Sequence, residues 1–458
     1  MRHKLKVTIF LFLILSFSAL SGCSSTTTNK TNTTSTDNKV YDLIWWGLFE
    51  DENTMQVLID KYKITHPNVN IRYVQKTTGL EEGTLIENYR EELDENLTDN
   101  EPLDTPDIIT IHNTWLGRYQ SKLVPSTSIT KTDLQKDFFP VVIDDFTRIN
   151  SVYAVPMSMD ALALITNTDL MASISAVDSA GPENNWFDFQ EQAKRVTKKS
   201  GSTIEIAGFA GGLNNVEFLP EIVSLMMLQS NINMVNVDQI SGFSSSAIFA
   251  QDAESQVILD YFRKFYTTNQ TWNQTFDSEV AAFLSKKLVM FIAPSWRLND
   301  ILRLNQKYQL GLDVDVYPIP QVNPADQESY IYWPTYWGYG VTTDSQQRGQ
   351  SQAAWEFIKF LTESEQLKLY NETIKTKSDR LVDIIYPRLS MVTAEEDNQY
   401  LKVYIDSLLQ AKSWDMIDGY LVDQIFMDAY VQNGSPNAVN IQNEINKNVI
   451  TKRTKLIN

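Results

Sequence analysis

Cysteine and histidine are scarce in this sequence. Its 458 residues include one Cys and three His. A single cysteine excludes an internal disulfide and a cysteine-based zinc site. The metalloprotease pattern HExxH, the phosphate loop GxxxxGKS/T and a GxGxxG after a strand are all absent. Beyond residue 22 only His66 and His112 remain, and neither stands in a recognisable nucleophile context. We therefore expect no catalytic activity, no cofactor and no metal.

Positive charge is also in deficit. Lys and Arg number 39 against 57 Asp and Glu, which gives a formal net charge of −18. Such a surface argues against binding to nucleic acid and against direct binding to anionic lipid. The excess carboxylates identify no ligand, and they leave a carboxylate pair for glycoside hydrolysis open without pointing to a specific pair. Asp313 and Asp315 alternate with apolar residues, so we interpret them as the solvated face of a strand rather than as metal ligands.

Long apolar runs are missing except for one at the amino terminus. Residues 2–6 carry three basic side chains, and residues 7–20 are apolar. The run is too short to span a bilayer comfortably, so residues 1–22 are interpreted as a signal peptide. It ends in Leu20-Ser21-Gly22-Cys23, which resembles the bacterial lipobox, in which the cysteine is lipidated and becomes the first mature residue. The alternative is an ordinary cleaved signal followed by a chance cysteine.

Polar residues dominate the stretch that follows the cysteine. Residues 23–39 are nearly all Ser, Thr, Asn, Lys and Asp, so we expect a disordered tether. The lipobox resemblance implies at least two acyl chains, which hold a protein stably on a membrane. We therefore expect the protein on the outer face of the bacterial cytoplasmic membrane, attached through the lipid alone. The remaining chain of roughly 420 residues is too long for one simple core, so two or three lobes are expected.

The body begins with a strand, a helix and a second strand. Residues 40–46 and 69–74 have strand patterns, and residues 55–62 repeat apolar side chains at helical spacing. This order implies a parallel sheet with helices packed on it. Later segments predict a buried strand at 288–292 and mainly helices over the last 70 residues. Ten Trp and 20 Tyr are more than an acidic soluble protein needs for its core.

Six segments in this order resemble those of a known family. They are IWWG followed by HPNVNIRYV, TPDIITIHNTWLGRY, YAVPMSMDALALITNTDL, NNWFDFQEQAKRVT, FLSKKLVMFIAPSW and AAWEFIKFLTESEQ. The chain is similar to the extracellular solute-binding proteins of family 1, the carbohydrate-binding subunits of ABC importers. The similarity covers nearly the whole chain beyond the predicted signal peptide.

The resemblance implies an α/β fold of the two-lobe periplasmic-binding-protein type II, with an interlobe cleft and crossing hinge strands. Chain order places lobe one at 40–157 and 338–385, and lobe two at 158–337 and 386–458. The crossings are expected at 158–163 and near 338–341. The implied function is that of a monomeric substrate-binding lipoprotein, which captures a carbohydrate, expected to be an oligosaccharide, by closure and delivers it to a membrane permease. The alternatives are a binder of a peptide or an anionic metabolite, and a surface glycan-processing enzyme or adhesin.

A sugar has an apolar face of CH groups and a rim of hydroxyls, so its site needs flat aromatic rings together with carboxylates, amides or Arg. Ligand-binding residues are expected where strands end at their carboxyl termini. By that rule and by the motif resemblance we predict the following ligand-binding residues: Trp46, Glu50, His112, Asn113, Thr114, Trp115, Asp160, Asn214, Asn215, Trp296, Arg297, Trp333, Tyr336, Trp337 and Trp414.

Several of these predictions have a structural alternative. Trp46 could belong to the core, Trp414 could pack the carboxyl-terminal helices, and Arg297 could form a surface ion pair. Asp160 lies in an apolar segment, where a carboxylate is costly to bury without a partner. We therefore expect Asp160 either to bind a polar ligand or to accept a hydrogen bond at the hinge. Trp296 follows a strand that Pro294 stops, which favours a site over a core role.

Overall fold

A computed structural model describes residues 39–76, 82–98, 105–174, 181–394 and 398–452. The predicted signal peptide, Cys23 and all of the predicted tether except Lys39 lie outside the described residues. Among the helices of the described part, none combines the length and the apolar character that crossing a membrane requires. The chain from Val40 onward forms one compact unit, and the fold described below is the fold of that unit.

The strands are short, and most belong to two sheets. In chain order they are β1 (Tyr41–Gly47), β2 (Val69–Gln75), β3 (Ile108–His112), β4 (Leu123–Val124), β5 (Thr147–Arg148), β6 (Ser151–Val152), β7 (Val155–Pro156), β8 (Ala163–Asn167), β9 (Lys198–Ser200), β10 (Thr203–Phe209), β11 (Val235–Val237), β12 (Ser244–Ala247), β13 (Leu288–Ala293), β14 (Val314–Tyr317) and β15 (Trp337–Thr342). The first sheet has the order β2-β1-β3-β15-β4, with β7 also paired to β15. The second sheet has the order β14-β8-β13-β10-β9.

Helices cover both sheets. In chain order they are α1 (Glu52–Thr65), α2 (Glu82–Thr98), α3 (Leu116–Tyr119), α4 (Lys131–Asp137), α5 (Pro140–Phe146), α6 (Thr168–Ile174), α7 (Trp186–Arg195), α8 (Leu219–Gln229), α9 (Glu254–Arg263), α10 (Glu279–Leu284), α11 (Ser295–Tyr308), α12 (Thr343–Gln347), α13 (Ser351–Leu361), α14 (Ser364–Ser378), α15 (Gln399–Leu409), α16 (Gly419–Ala429) and α17 (Ala438–Ile445).

The first sheet confirms the predicted strand–helix–strand opening. β1 pairs in parallel with β2 over its whole length and touches β3 at Trp45. Helices cover both faces, and Trp45 is fully buried, with its ring packed edge-on against Tyr73, Tyr339 and Phe357. Gly47 is the last residue of β1, and a Cβ there would come within 2.0 Å of the Tyr73 hydroxyl oxygen. The close approach of this tyrosine therefore requires glycine.

The second sheet is built around two neighbouring parallel strands. β10 and β13 are parallel, whereas β8 and β14 run antiparallel to their neighbours. Every residue of β13 is buried, which confirms the buried strand predicted at 288–292. In β14 the valines are buried, while Asp315 is partly exposed and Asp313, just before the strand, is exposed. This alternation confirms that the two aspartates belong to the solvated face of a strand.

The chain passes between the two sheets before β8 and again before β15. The first passage lies between β7 and β8 and includes most of the predicted crossing at 158–163. The second prediction, at 338–341, is wrong, because these residues lie inside β15 and pair with β3. The passage comes earlier, within residues 318–336, where Ala161 bridges Pro334. Gly338 serves close packing in the strand, since a Cβ there would lie 2.5 Å from the Phe146 ring.

The carboxyl-terminal helices return to the second sheet. α14 packs on α1, beside the first sheet, whereas α15 contacts β14 and β8. α16 then packs on α8, and α17 packs on α9. These contacts confirm the predicted helical character of the described part of the last 70 residues.

Candidate functional site

Aromatic rings gather at the carboxyl ends of β1 and β3. Trp337, the first residue of β15, pairs across the sheet with His112, the last residue of β3. The Trp337 ring lies 5.0 Å from the His112 ring and 5.0 Å from the Trp115 ring. Phe49, just beyond β1, packs edge-on against Trp337 at 5.4 Å and is 53% exposed. We call Phe49, His112, Trp115 and Trp337 the aromatic wall.

The histidine of the aromatic wall is uncharged at neutral pH. Burial lowers the pKa of His112 to about 3. Its Nδ1 lies 2.9 Å from Oγ1 of Thr114, and its Nε2 lies 3.2 Å from Oγ1 of Thr335. Both ring nitrogens are therefore held by hydroxyls, and the wall offers rings without charge.

Asp160 joins the first passage to the helix that carries Trp296. Its carboxylate accepts hydrogen bonds from the backbone N–H groups of Ala161 (2.8 Å), Ser295 (2.9 Å) and Trp296 (3.2 Å), and from the Ser295 hydroxyl (2.7 Å). The backbone oxygen of Asp160 accepts from the N–H of Thr335 at 2.9 Å. Burial raises the pKa of Asp160 to about 6 against the opposing effect of these bonds. Asp160 thus makes structural hydrogen bonds that join the first passage to α11 and to the second passage.

A cavity of about 540 Å³ opens where the parallel strands β10 and β13 end. Carboxyl ends of neighbouring parallel strands are where α/β sheets place ligands, and this volume lies in the range of small-molecule sites. Trp296 is next to the cavity in sequence, half-buried, and its ring lies 6.3 Å from that of Phe218. We call this space the polar cavity, and its lining residues are Asn214, Asn215, Val216, Glu217, Ser278, Glu279, Val280, Ala281, Leu284 and Arg297.

Arg297 holds the two sides of the polar cavity together. Its Nη2 donates to both carboxylate oxygens of Glu217 at 3.0 Å. Its guanidinium also lies over the Trp296 ring, 4.4 Å from the centroid. The ion pair that was the alternative for Arg297 therefore exists, and the same residue lines the cavity. Asn214 and Asn215, also predicted, line it as well, although Asn215 is engaged by the indole N–H of Trp272 at 2.8 Å.

Other predicted residues lie in a buried network behind the aromatic wall. The Asn113 amide donates to Asp145 at 2.9 Å, and the Tyr336 hydroxyl donates to the same carboxylate at 2.6 Å. Trp333 is 0% exposed, so its ring offers no face to a ligand in this structure. Thr114 is buried, and its hydroxyl is the one that holds His112. These contacts position the wall.

The three remaining predicted residues are also enclosed. Trp46 is buried, and the Lys76 ammonium lies 3.6 Å from its ring centroid. Glu50 accepts a hydrogen bond from the Tyr370 hydroxyl at 2.9 Å, and burial raises the pKa of its carboxyl. Trp414 is buried too. The placements of Trp46 and Trp414 favour the structural alternatives named for them.

The predicted set lacks Phe49 of the aromatic wall, Thr335, which contacts His112, and two carboxylates of the polar cavity, Glu217 and Glu279. Phe49 could have been predicted, because the strand-end rule that selected Trp46 and Glu50 applies to it as well. The other three depend on contacts between distant segments. Within the described ranges, no group of three or more His, Cys, Asp or Glu side chains is arranged to hold a metal ion.

Comparison with known proteins identifies the family. Residues 46–368, well over half of the chain, match the bacterial extracellular solute-binding proteins. The chain belongs to this family. The polar cavity lies within the matched residues, and so do the aromatic wall and Asp160.

Solved structures share the fold of this family member. The GacH receptor of Streptomyces glaucescens, solved unliganded and with acarbose, is 18% identical, with a TM-score of 0.62 over 91% of this chain and 98% of that chain. The sugar-binding protein MalE of Xanthomonas citri is 14% identical, with a TM-score of 0.67 over 91% and 98%. UgpB of Mycobacterium tuberculosis, solved with glycerophosphocholine, is 14% identical, with a TM-score of 0.64 over 91% and 98%. These likenesses confirm the predicted two-lobe type II fold.

Proposed function

We propose that this protein is the substrate-binding lipoprotein of an ABC importer and that it captures a carbohydrate, most simply an oligosaccharide. The observation that carries the proposal is the presence of two unlike surfaces at strand ends, the aromatic wall in the first sheet and the polar cavity in the second. A sugar ring has an apolar CH face and a polar rim, so it needs both kinds of surface. Phe49, Trp337 and Trp296 supply ring faces, while the cavity supplies carboxylate, amide and hydroxyl groups.

The solved relatives support this ligand class. One of them was solved with acarbose, and another is described as a sugar-binding protein. We assign the first lobe to residues 40–157 and 337–385, and the second to 158–336 and 386–458. Closure of two lobes on a ligand is a known hinge motion, and a permease would respond to the closed form.

A thermal-shift screen against mono- and oligosaccharides tests the ligand class. A ligand that binds only the folded state raises its stability by about 2.7 kcal/mol at a hundredfold excess over Kd. We expect at least one neutral or amino-bearing sugar to raise the melting temperature, and we expect prolonged incubation to return that sugar unchanged. Lack of a shift with every sugar would contradict the proposal, and products formed in proportion to protein would favour the glycan-processing alternative.

A non-sugar solute is the second candidate, because one relative of similar TM-score was solved with glycerophosphocholine. The same screen therefore includes glycerophosphocholine and a set of short peptides. A shift with one of these, and none with sugars, would establish the second candidate instead.

Membrane attachment through Cys23 is tested separately. We expect Cys23→Ser to release the folded protein from membranes, because the acyl chains are its only anchor. Ser24→Ala is the matched control and should stay with the membrane fraction. Complete retention of the Cys23→Ser protein in that fraction would show that anchoring does not depend on this residue.

A further inference from the structure

The polar cavity has one cationic residue, and that residue is already paired. Of the described residues that line it, Arg297 alone carries positive charge. Its Nη2 contacts both oxygens of Glu217 at 3.0 Å, and its Nη1 lies 3.9 Å from Asp300. An anionic group on a ligand would therefore have to displace a carboxylate that is already in place.

A second carboxyl in the lining, that of Glu279, forms no salt bridge with any of the described residues, and Arg297 acts on it only from a longer distance. Glu279 is 3% exposed, and its Oε1 accepts the backbone N–H of Glu217 at 2.8 Å. Burial, with a smaller contribution from the charge of Glu217, raises the pKa of Glu279 to about 7. The carboxyl of Glu279 thus lies at the cavity with its charge disfavoured, and a nearby positive charge would stabilise its ionised form.

A third carboxyl lies four residues beyond Glu217. Glu221 is in the first turn of α8, and its Oε2 is buried without a hydrogen-bond partner in the described structure. Burial raises the pKa of Glu221 as well, and the charge of Glu217 adds to that rise. These three carboxyls outnumber the one guanidinium, and a cationic ligand group would favour their ionised forms.

Building on the proposed function, we propose that the polar cavity selects its carbohydrate by charge. It takes a sugar unit that carries a protonated amino group, binds the neutral unit more weakly and rejects carboxylated or phosphorylated units. Glu279 is the specificity-determining residue, because it lines the cavity and forms no salt bridge within the described part of the chain. The cavity would thus attract a protonated amino group and repel a carboxylate or phosphate at the same place.

Four monosaccharides that differ in one substituent test the selection. They are 6-amino-6-deoxyglucose, glucosamine, glucose and glucuronate, titrated by calorimetry into the full-length protein in detergent near neutral pH. We expect one of the two amino sugars to bind about tenfold more tightly than glucose, a difference that corresponds to about 1.4 kcal/mol. We expect no binding of glucuronate. Equal behaviour of all four, including no binding by any, overturns the proposal, as does glucuronate that matches glucose.

Two variants locate the selection. Glu279→Gln should reduce the affinity for the amino sugar more than the affinity for glucose, so that the ratio of about tenfold between them is lost. Glu254→Gln is the matched control, because Glu254 is also a first-turn glutamate of a helix but is exposed and lies outside the cavity lining. If Glu279→Gln does not fold, Glu217→Gln serves instead, since releasing Arg297 should allow glucuronate to bind. An amino-sugar advantage that survives the folded Glu279→Gln variant, or glucuronate still excluded by Glu217→Gln, overturns the assignment.

Selection by charge can fail in these tests while the proposed function holds. If a neutral oligosaccharide stabilises the protein but amino sugars bind no better than glucose, the proposed function stands and only the selection by charge is contradicted. A screen in which no sugar of any charge binds removes both.

Discussion

The aromatic wall and the polar cavity occupy equivalent places in two sheets, yet they differ in how their polar atoms are used. In the wall, both ring nitrogens of His112 form hydrogen bonds with threonine hydroxyls, so the wall presents mainly aromatic ring surface. In the cavity, Asn214, Ser278 and Glu279 lie around the ion pair of Arg297 and Glu217, and Ser278 and Glu279 each accept one backbone N–H there. One side of the molecule is therefore built for shape and apolar contact, and the other for hydrogen bonding and charge.

This difference teaches that the two surfaces make separate contributions to binding. A ring that stacks on the wall needs no particular hydroxyl pattern, because ring faces are not directional in the way that hydrogen bonds are. Orientation and choice among sugars would come from the cavity. Both contributions depend on the geometry of their surfaces. Variants that disturb this geometry, or that remove single aromatic rings, therefore test the comparison.

The largest effect is expected from breaking the buried ion pair that links α2 to α16. Arg90 donates to both oxygens of Asp418 at 2.9 and 2.7 Å, and Arg118 donates to Oδ2 at 2.7 Å. Arg90 also lies 5.4 Å from the Trp115 ring of the wall. Asp418→Ala leaves Arg90 buried without its carboxylate, so we expect a loss of about 3–5 kcal/mol in the free energy of unfolding, measured in urea.

Asp406→Ala is the control for that loss. Asp406 pairs with Lys402 at 2.9 Å on an exposed helix surface, where both side chains are 54% exposed. Exposed pairs of this kind contribute about 0.5 kcal/mol or less. Equal losses in the two variants would show that burial of the Arg90–Asp418 pair is not what stabilises the structure.

Truncation of one tryptophan at the cavity and of one in the core should separate an effect on binding from an effect on stability. Trp296→Ala should weaken sugar binding about tenfold or more, because a stacked ring contributes about 1–3 kcal/mol by analogy with base stacking. The melting temperature without ligand should change little, since Trp296 is half-buried. Trp333→Ala should instead lower the free energy of unfolding by about 3–5 kcal/mol, since its side chain is fully buried. A large fall in melting temperature for Trp296→Ala, with affinity unchanged, would place Trp296 in the core.

The smallest effect is expected at the exposed edge of the wall. Phe49→Ala removes a ring that is 53% exposed, so stability should stay within about 0.5 kcal/mol. Affinity for a bound sugar should fall about threefold, in keeping with a contact that contributes somewhat under 1 kcal/mol. Phe187, which is 73% exposed on α7, offers the matched truncation and should leave affinity unchanged. Titration calorimetry measures both variants, and equal affinities would remove Phe49 from the site.

The sequence predicts local features of this fold well because their causes are local. Asn185, in the NNWFDFQEQAKRVT segment, is of a residue type that favours helix starts, and it accepts from the N–H of Asp188 at 2.9 Å as the cap of α7. Strand β13 could be predicted because six consecutive apolar residues precede a proline. The two lobes and the strand-end positions of the candidate residues follow from the order of motifs and from the strand-end rule.

The division between wall, cavity and core could not be predicted, since it depends on partners far along the chain. Trp45 and Trp46 are both buried because the sheet is covered on both faces, which removes the expected alternation. Tyr336 and Trp337 are neighbours, yet only Tyr336 is held by Asp145, a residue 191 positions away. Glu279 accepts a hydrogen bond from the backbone N–H of Glu217, which lies on another segment of the chain. Such contacts leave no periodic signal in the sequence.

The hydrogen bonds of Asp160 have a consequence for how this protein can change. Three of its four donors are main-chain N–H groups, one of them that of Trp296, so the bond to residue 296 does not depend on which side chain that residue carries. We therefore expect substitution at position 296 to leave this hydrogen bond in place. On the proposed role of Trp296 in sugar binding, evolution could change the ligand at this position without disturbing Asp160, and a biosensor built on this scaffold could be retuned there in the same way.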